Sequence, residues 1–504
     1  MKRWWFPLLV LILLVAVLKY TANLRALGYD KVPDTYPILD ERTNVWHGLS
    51  LRQSGIPAAW SGLGAYKRNN AGGKINGFNI QVDDFTPNLN NFSQFPKPSA
   101  ILHGVDLGLG RGMTGILMVQ PYLDHPPLAA LIFSSFVPNS LRTFDDLTPF
   151  DMRKGPLVLA AITGFLIFLL GFQLFKNVWI GLLATAIYGT APTFVLLSRY
   201  TLLENAMVPL MLISLNLLLF SQQVKNRKKV ALTVGLAGVF GGLTALTKIT
   251  GWAILPIGVI LLWQWKYHLR EILYFAFPVI VLGLSYFAWG FYLAPNVFID
   301  IFRYQGIDRG FIGSINFLVT MTRVGIVNFP VDGWWIGGFL TMGLILLKKE
   351  SFPYIVSVVT LLFTALLLGG ANYPWYFIPL VPFMCLGIAY LIWQIVTSPS
   401  LFNLMAFFLL FFSSSFYWGY GVYQAALSPT GDQQPFTLYR ILFLLFFGIG
   451  LMWPRLVKLN KVAKAWPVVV FCLILITLKL NERSLYFLMS NWGHLPAIFT
   501  PGTF

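Results

Sequence analysis

The chain has 504 residues, of which 57% are hydrophobic and only 11% charged, and its formal net charge is +17. A soluble protein would carry about a quarter charged residues, so this composition excludes an ordinary soluble enzyme. Apolar residues form long runs such as 155–175 and 401–412, and about 20 apolar residues cross the hydrocarbon core as a helix. The sequence therefore predicts an all-α integral membrane protein, a polytopic helical bundle.

Apolar runs predict thirteen membrane spans. They are 4–20, 155–175, 177–196, 203–221, 229–248, 251–266, 271–293, 332–348, 353–370, 375–396, 401–424, 438–454 and 466–481. No small-residue cleavage motif follows the first run, which favours a spanning helix over a signal peptide. With the N-terminus in the cytoplasm, the basic clusters 225–229 and 455–464 face inward, as Lys/Arg-rich cytoplasmic loops do. The positive charge therefore indicates topology in a plasma membrane, not a nucleic-acid partner.

The same register predicts one membrane domain with most of its polar chain outside. Its parts are the whole domain 1–504, a large extracytoplasmic loop 21–154, the bundle 155–481 and an outer tail 482–504. Segments 41–54 and 126–137 are predicted to be short amphipathic helices along the interface. The Gly/Asn-rich stretch 66–116 is predicted to be irregular. The loop contains more than half of the 19 acidic residues, so we expect any chemistry on the outer face.

Two short motifs in the large outer loop contain candidate catalytic groups. Asp40 and Glu41 follow the first span, and a carboxylate there is able to accept a proton from an attacking hydroxyl. The competing interpretation is an acidic pair that complements a helix dipole, and the residues alone leave both open. Asp124 and His125 precede two prolines and an apolar run, a pattern that equally suits the first turn of a helix.

Charged residues also occur in two predicted outer turns between spans. Arg199 and Glu204 lie in one turn and Lys248 in another. Charges beside the bilayer are costly without partners. One interpretation is therefore that Arg199 and Glu204 pair with each other or with loop residues, and that Lys248 is an interfacial snorkelling lysine. The other is that Arg199 and Lys248 bind a phosphate group.

The segment 372–382 is aromatic and rich in proline. Aromatic side chains at an outer helix end are typical of an interface belt. Tyr373 and Tyr376 are also candidates for stacking against a ligand. Cys385 and Cys472 are both predicted to be buried packing residues.

Taken in order, these motifs resemble the protein O-mannosyltransferase family and its bacterial relatives that use polyprenyl-phosphate sugars, within the multispanning GT-C glycosyltransferases. Asp40-Glu41 matches the family's Asp-Glu motif. The stretch 124–128 is similar to Asp-x-His-Pro-Pro-Leu with one residue missing, and 198–204 is similar to Ser-Arg-x-x-Leu-Leu-Asp with Glu204 in the acidic place. The stretch 373–382 resembles the helix start of lipid A aminoarabinose transferases. The second half of the chain otherwise matches only as a span pattern.

The resemblance implies an inverting transfer of a hexose or pentose from a polyprenyl-phosphate-sugar donor to a hydroxyl of a protein, lipid or glycan. It implies Asp40, ahead of Glu41, as the general base, and the donor phosphate on Arg199 and Lys248. The substrate-binding residues that it implies are Asp124, His125, Glu204, Tyr373 and Tyr376. No further cofactor and no metal site are predicted, and a role for a divalent metal stays open. The competing hypothesis is a transporter or flippase of lipid-linked sugars, which the scarcity of charge within the spans disfavours.

Overall fold

The computed structural model describes residues 5–30, 38–61, 63, 65–66, 100–105, 116–141, 146–305, 323–324, 329–330, 332–346, 351–368, 374–421 and 434–490. The helices are α1 Trp5–Ala26, α2 Ile38–Ser54, α3 Leu128–Ser134, α4 Pro149–Met152, α5 Lys154–Phe175, α6 Val178–Thr190, α7 Pro192–Leu197, α8 Leu203–Ser221, α9 Arg227–Ala245, α10 Ile254–Gln264, α11 Leu269–Leu293, α12 Pro295–Arg303, α13 Gly333–Leu346, α14 Phe352–Leu368, α15 Val381–Thr397, α16 Leu401–Ala406, α17 Ser413–Phe416, α18 Gln434–Leu456 and α19 Asn460–Ser490. Short 3₁₀ helices, Ile249–Ala253 and Pro374–Leu380, precede α10 and α15, and π-helical turns follow α16 and α17. The predicted helical membrane fold is confirmed.

Each of the thirteen predicted spans coincides with helix in the described part of the chain. Eight of these helices are long and apolar enough to cross a membrane, and four further apolar helices are shorter. The remaining predicted span, 229–248, corresponds to α9, which has 19 residues. The protein is therefore a multi-pass membrane protein, while the count of thirteen spans stays a prediction. The helices α1 and α19 extend to Ala26 and Ser490, beyond the predicted ends at 20 and 481.

The bundle has a central and a peripheral layer. The apolar window of α8 is 78% buried, whereas that of α18 is only 11% buried. Central helices approach closely where glycines face each other: a Cβ on Gly181 of α6 would lie 2.6 Å from the carbonyl oxygen of Phe168 in α5. Large apolar side chains such as Leu444 and Phe471 cover the peripheral surface, as expected for residues that face lipid.

A small cap of short elements packs on one end of the bundle. It consists of α2, α3 and a three-stranded antiparallel sheet, β1 Ala59–Trp60, β2 Ala100–Val105 and β3 Ile116–Gln120, with β3 in the centre. In register, Ala59 of β1 pairs with Val119 and Ala100 of β2 pairs with Gln120. The apolar core beneath α2 and α3 includes Leu203 and Ala206 of α8, which joins the cap to the bundle.

The cap corrects two sequence predictions. The helix predicted over 41–54 exists as α2, but residues 43–50 are all buried, so it is not a half-exposed interface helix. The stretch 66–116 is not wholly irregular, because residues 100–105 form β2. The predicted helix 126–137 is confirmed as the shorter α3.

The two cysteines differ. Cys385 is buried in α15, as predicted. The prediction for Cys472 is wrong, because it is exposed on α19, where a small apolar thiol faces outward on the bundle surface.

Candidate active site

A cavity of about 280 Å³ lies between the cap and the bundle. Its walls come from α2, the chain between β3 and α3, the start of α8, the residue before the first 3₁₀ helix, the end of α12 and the second 3₁₀ helix. The lining residues are Asp40, Thr43, Asn44, Trp60, Leu63, Tyr122, Asp124, His125, Leu202, Leu203, Glu204, Lys248, Tyr304, Gln305, Trp375 and Tyr376. Six predicted site residues are among them: Asp40, Asp124, His125, Glu204, Lys248 and Tyr376. Tyr373 lies outside the described residues.

The adjacent carboxylates of α2 point in different directions. Asp40 lines the cavity and is partly exposed. Glu41 is fully buried and pairs with Arg153, whose Nη2 lies 2.6 Å from Glu41 Oε2. The backbone N–H of Thr201 also donates to Glu41 Oε1 at 2.8 Å. Because neighbouring helical residues are about 100° apart, only one of the two faces the cavity.

Glu41 does not share the cavity with Asp40, and its predicted catalytic role stays a prediction. It does not line the cavity, and its carboxylate oxygens are already bonded. Its contacts hold α2 against the turn after α7 and the start of α5. The amide of Asn44 strengthens the same junction, since its Nδ2 donates to Thr201 O at 2.7 Å.

Asp124 and His125 form the wall opposite α2. The Asp124 carboxylate accepts hydrogen bonds from Ser61 Oγ at 2.6 Å and from Tyr66 Oη at 2.7 Å. It thereby ties the chain after β1 to the chain after β3. The Gln305 side chain donates to the Asp124 carbonyl at 3.1 Å, which adds the end of α12. His125 follows this junction and presents a partly exposed ring to the cavity.

Lys248 supplies the positive charge of the cavity. Its ammonium lies 4.0 Å from the ring centre of Tyr376 and forms a close ion pair with Glu204. Both charged side chains are buried, and burial without a partner would be costly for each. The partner of Glu204 is thus Lys248 and not Arg199. The pair keeps a cation in place beside an aromatic face.

The structure does not bring Arg199 to the cavity. Its Nη2 donates to the carbonyl of Leu27 after α1, and its Nη1 lies 3.2 Å from the sulfur of Met489 in α19. Burial lowers the pKa of Arg199 to about 10, which still leaves it charged near neutral pH. These contacts hold the turn 198–202 against α1 and α19, and the phosphate contact of Arg199 stays a prediction.

Sequence reasoning missed several polar and aromatic residues of the site. Thr43, Asn44 and Tyr122 line the cavity, yet none has a charge or a motif that would single it out. A signal was available in α2: Asp40, Thr43 and Asn44 share one helical face by their spacing of three and four residues. The side chain of Trp60 was missed because its strand has only two residues.

His47 continues this face of α2 one turn deeper. It is fully buried, and its ring lies edge-on to Tyr122 with the centroids 4.9 Å apart. Neither ring nitrogen has a hydrogen-bond partner among the described residues. Burial lowers the pKa of His47 to about 3, so the imidazole is neutral at physiological pH. His47 therefore closes the deep side of the α2 wall with an uncharged ring.

Part of the chain that contains cavity residues matches a known protein family. A family model described as dolichyl-phosphate-mannose-protein mannosyltransferase matches residues 134–299. The predicted family resemblance is confirmed. The matched segment runs from α3 into α12 and contains Glu204 and Lys248, and it indicates a membrane glycosyltransferase. No curated protein sequence matches the chain.

Two solved structures resemble the chain at low sequence identity. One is ArnT from Cupriavidus metallidurans bound to undecaprenyl phosphate, at 14% identity over 99% of this chain and 79% of that one, with a TM-score of 0.49. The other is the archaeal oligosaccharyltransferase AglB from Archaeoglobus fulgidus in complex with an inhibitory peptide and a dolichol-phosphate. It is 12% identical over 96% of this chain and 56% of that one, with a TM-score of 0.41.

Proposed function

We propose that the protein transfers a sugar, with inversion, from a polyprenyl-phosphate-sugar donor to an acceptor hydroxyl in the cavity. The observation that carries the proposal is the meeting of Asp40, a potential base, with Lys248, a buried cation, in one cavity with aromatic walls. The family match over residues 134–299 supports the same class of reaction. A base and a cation in one cavity suit a single displacement at a sugar carbon.

In the proposed step, the acceptor oxygen attacks the anomeric carbon and its proton passes to the Asp40 carboxylate. The bond between the anomeric carbon and the phosphate oxygen breaks as the new bond forms. The electron pair of that bond leaves with the polyprenyl phosphate. One displacement inverts the anomeric configuration and needs no covalent sugar–enzyme intermediate.

Lys248 is proposed to stabilise the charge that develops on the leaving phosphate. A fixed cation in a site with little water stabilises such charge strongly. An ammonium has three N–H donors, so a bond to Glu204 leaves capacity for phosphate oxygens. Glu204 holds the ammonium in position before the donor arrives. A phosphate is a good leaving group, so the reaction does not require a strong general acid.

The proposed active site faces the outer side of a plasma membrane. The cavity lies near the first residues of α8 and just after the last residues of α9. The basic turn 225–229 lies at the opposite ends of the same two helices. Cytoplasmic loops are the ones enriched in Lys and Arg, which supports this orientation.

The test uses purified protein in nanodiscs with radiolabelled polyprenyl-phosphate mannose, glucose or arabinose and a membrane extract as acceptor. We expect transfer from one of these donors, and a loss in Asp40→Asn of about 10²–10⁴-fold in kcat, the usual contribution of a general base. Asp151→Asn is the matched control, because Asp151 pairs with Lys154 and does not line the cavity.

Two results would contradict the proposal in different ways. If donor crosses the bilayer without being consumed, the protein is a flippase and not a transferase. If transfer occurs and Asp40→Asn matches Asp151→Asn, the transferase stands and Asp40 is not its base.

A further inference from the structure

The inner face of α2 carries a buried hydroxyl group that nothing in the described protein satisfies. Thr43 lines the cavity and is only 3% exposed, and its Oγ1 has no hydrogen-bond partner among the described residues. Buried hydroxyls are nearly always hydrogen-bonded, and leaving one unpaired costs about 1–3 kcal/mol.

Other threonines in the helices of this protein avoid that cost locally. Thr185 donates to Gly181 O at 3.0 Å, and Thr244 donates to Phe240 O at 2.8 Å. Thr341 makes the equivalent bond to Gly337 O at 2.8 Å. These are bonds to the carbonyl four residues earlier, which is the usual partner of a helical threonine. Thr43 makes no such bond, so its hydroxyl, buried in the cavity wall, lacks a partner that a group bound in the cavity would supply.

Burial increases along α2, and this gradient orders its cavity residues by depth. Asp40 is partly exposed, Thr43 one turn further is nearly buried, and His47 one turn beyond is completely buried. In the proposed reaction the acceptor hydroxyl meets Asp40 nearer the mouth. The sugar that it attacks then lies deeper, beside Thr43. Side chains three residues apart on a helix are about 5–6 Å apart at Cβ, which is the scale of one sugar ring.

The chemistry of the wall fits a sugar ring. Trp60 and Tyr122 line the same cavity and provide aromatic faces, while Thr43 provides a hydroxyl that both donates and accepts. The neutral ring of His47 lies behind this wall against Tyr122. The wall around Thr43 therefore suits an uncharged polyol.

We propose that Thr43 is a specificity-determining residue whose Oγ1 hydrogen-bonds one hydroxyl of the sugar being transferred. This proposal rests on the proposed glycosyltransferase function and adds the contact by which α2 selects the donor sugar. A site built to bond a hydroxyl discriminates strongly against an analogue that lacks it, because its own polar group is then left unpaired.

The test compares Thr43→Val and Thr43→Ser with wild type on the accepted donor and on its monodeoxy analogues. Valine keeps the shape and removes the hydroxyl, and serine retains the hydroxyl. We expect Thr43→Val to lower kcat/KM about tenfold on the natural donor, a typical effect of one hydrogen bond. In wild type, replacing the natural donor with one of the deoxy analogues should lower kcat/KM by about the same factor. With that analogue, Thr43→Val and wild type should have the same kcat/KM, because the analogue already lacks the hydroxyl that Thr43 bonds. Thr43→Ser should stay within about twofold of wild type.

Thermal unfolding provides a second readout. Since Thr43 makes no bond within the described protein, Thr43→Val should melt at or above the temperature of wild type. Thr185→Val is the matched control: it loses the bond to Gly181 O, away from the cavity, and should lower the melting temperature without changing donor selectivity.

The remaining outcomes overturn the proposal. Wild-type kinetics and selectivity in Thr43→Val would mean that an ordered water satisfies the hydroxyl. A marked fall in its melting temperature would mean that the hydroxyl has a structural partner. If wild type transfers no sugar from any donor, the proposed function fails and this inference fails with it.

Discussion

The buried charges around the cavity are arranged in pairs that join distant parts of the chain. Glu41 pairs with Arg153, and Lys248 pairs with Glu204. Burying a single charge without a partner would cost several kcal/mol. The sequence indicated Asp40 and Glu41 as one motif, but the pairing separates their roles, because Arg153 lies 112 positions from Glu41 in the chain.

We therefore expect the main effect of Glu41→Gln to be a lower free energy of unfolding. Removing this carboxylate takes the paired negative charge from the buried Arg153, and breaking a buried pair in this way costs about 3–5 kcal/mol. The free energy of unfolding of detergent-purified protein measures the effect. Asp151→Asn breaks the partly exposed pair with Lys154 and should cost less than about 1 kcal/mol. If Glu41→Gln is as stable as wild type but as inactive as Asp40→Asn, Glu41 is a catalytic residue after all.

At the scale of elements, α2 is unusual because it is polar and yet buried. Thr43, Asn44, His47 and Ser50 lie within its buried stretch. Ser50 satisfies its hydroxyl through Ala58 O at 3.0 Å, just before β1. This helix is a part of the cap that packs on the bundle, so its position sets one wall of the cavity.

Gly48 determines how closely α2 approaches α3. A Cβ on Gly48 would overlap the backbone carbonyl oxygen of Ala130, and a backbone atom has little freedom to move. Gly48→Ala should shift α2 and displace Asp40, with a loss of about 10²-fold in turnover, as misplacing reacting groups by about 1 Å does. Gly235→Ala is the control: a Cβ there meets no atom within 4 Å, so turnover should stay unchanged. Equal activity of the two variants would show that the α2–α3 spacing does not control the site.

At the scale of the whole molecule, the distribution of charge predicts the orientation in the membrane. Basic side chains cluster at the ends of the helices away from the cavity, and the cap contains acidic side chains. The orientation determines which acceptors the cavity is able to meet.

Cysteine labelling tests this orientation. In a Cys472→Ala background, where the remaining Cys385 is buried, Ser140→Cys lies in the cap and Lys225→Cys in a basic turn. On intact cells, a membrane-impermeant maleimide should label Ser140→Cys at once and Lys225→Cys only after permeabilisation. The opposite pattern would place the cavity in the cytoplasm and contradict the predicted topology.

The sequence by itself determined the class of the molecule and the position of its helices. Both follow from local composition, because a run of about 20 apolar residues satisfies its backbone only as a helix in lipid. The motifs also singled out Asp40, Asp124 and Lys248, which the structure brings to one cavity, and their roles stay predictions.

The tertiary structure alone decided which neighbours share the cavity. It turned Glu41 inward to Arg153, bonded Arg199 to the chain after α1, and buried the Thr43 hydroxyl in the cavity wall without a partner among the described residues. Each outcome depends on contacts between residues far apart in the chain. Local sequence patterns specify the faces of a helix, but the partner that satisfies a buried polar group is chosen only when the elements pack.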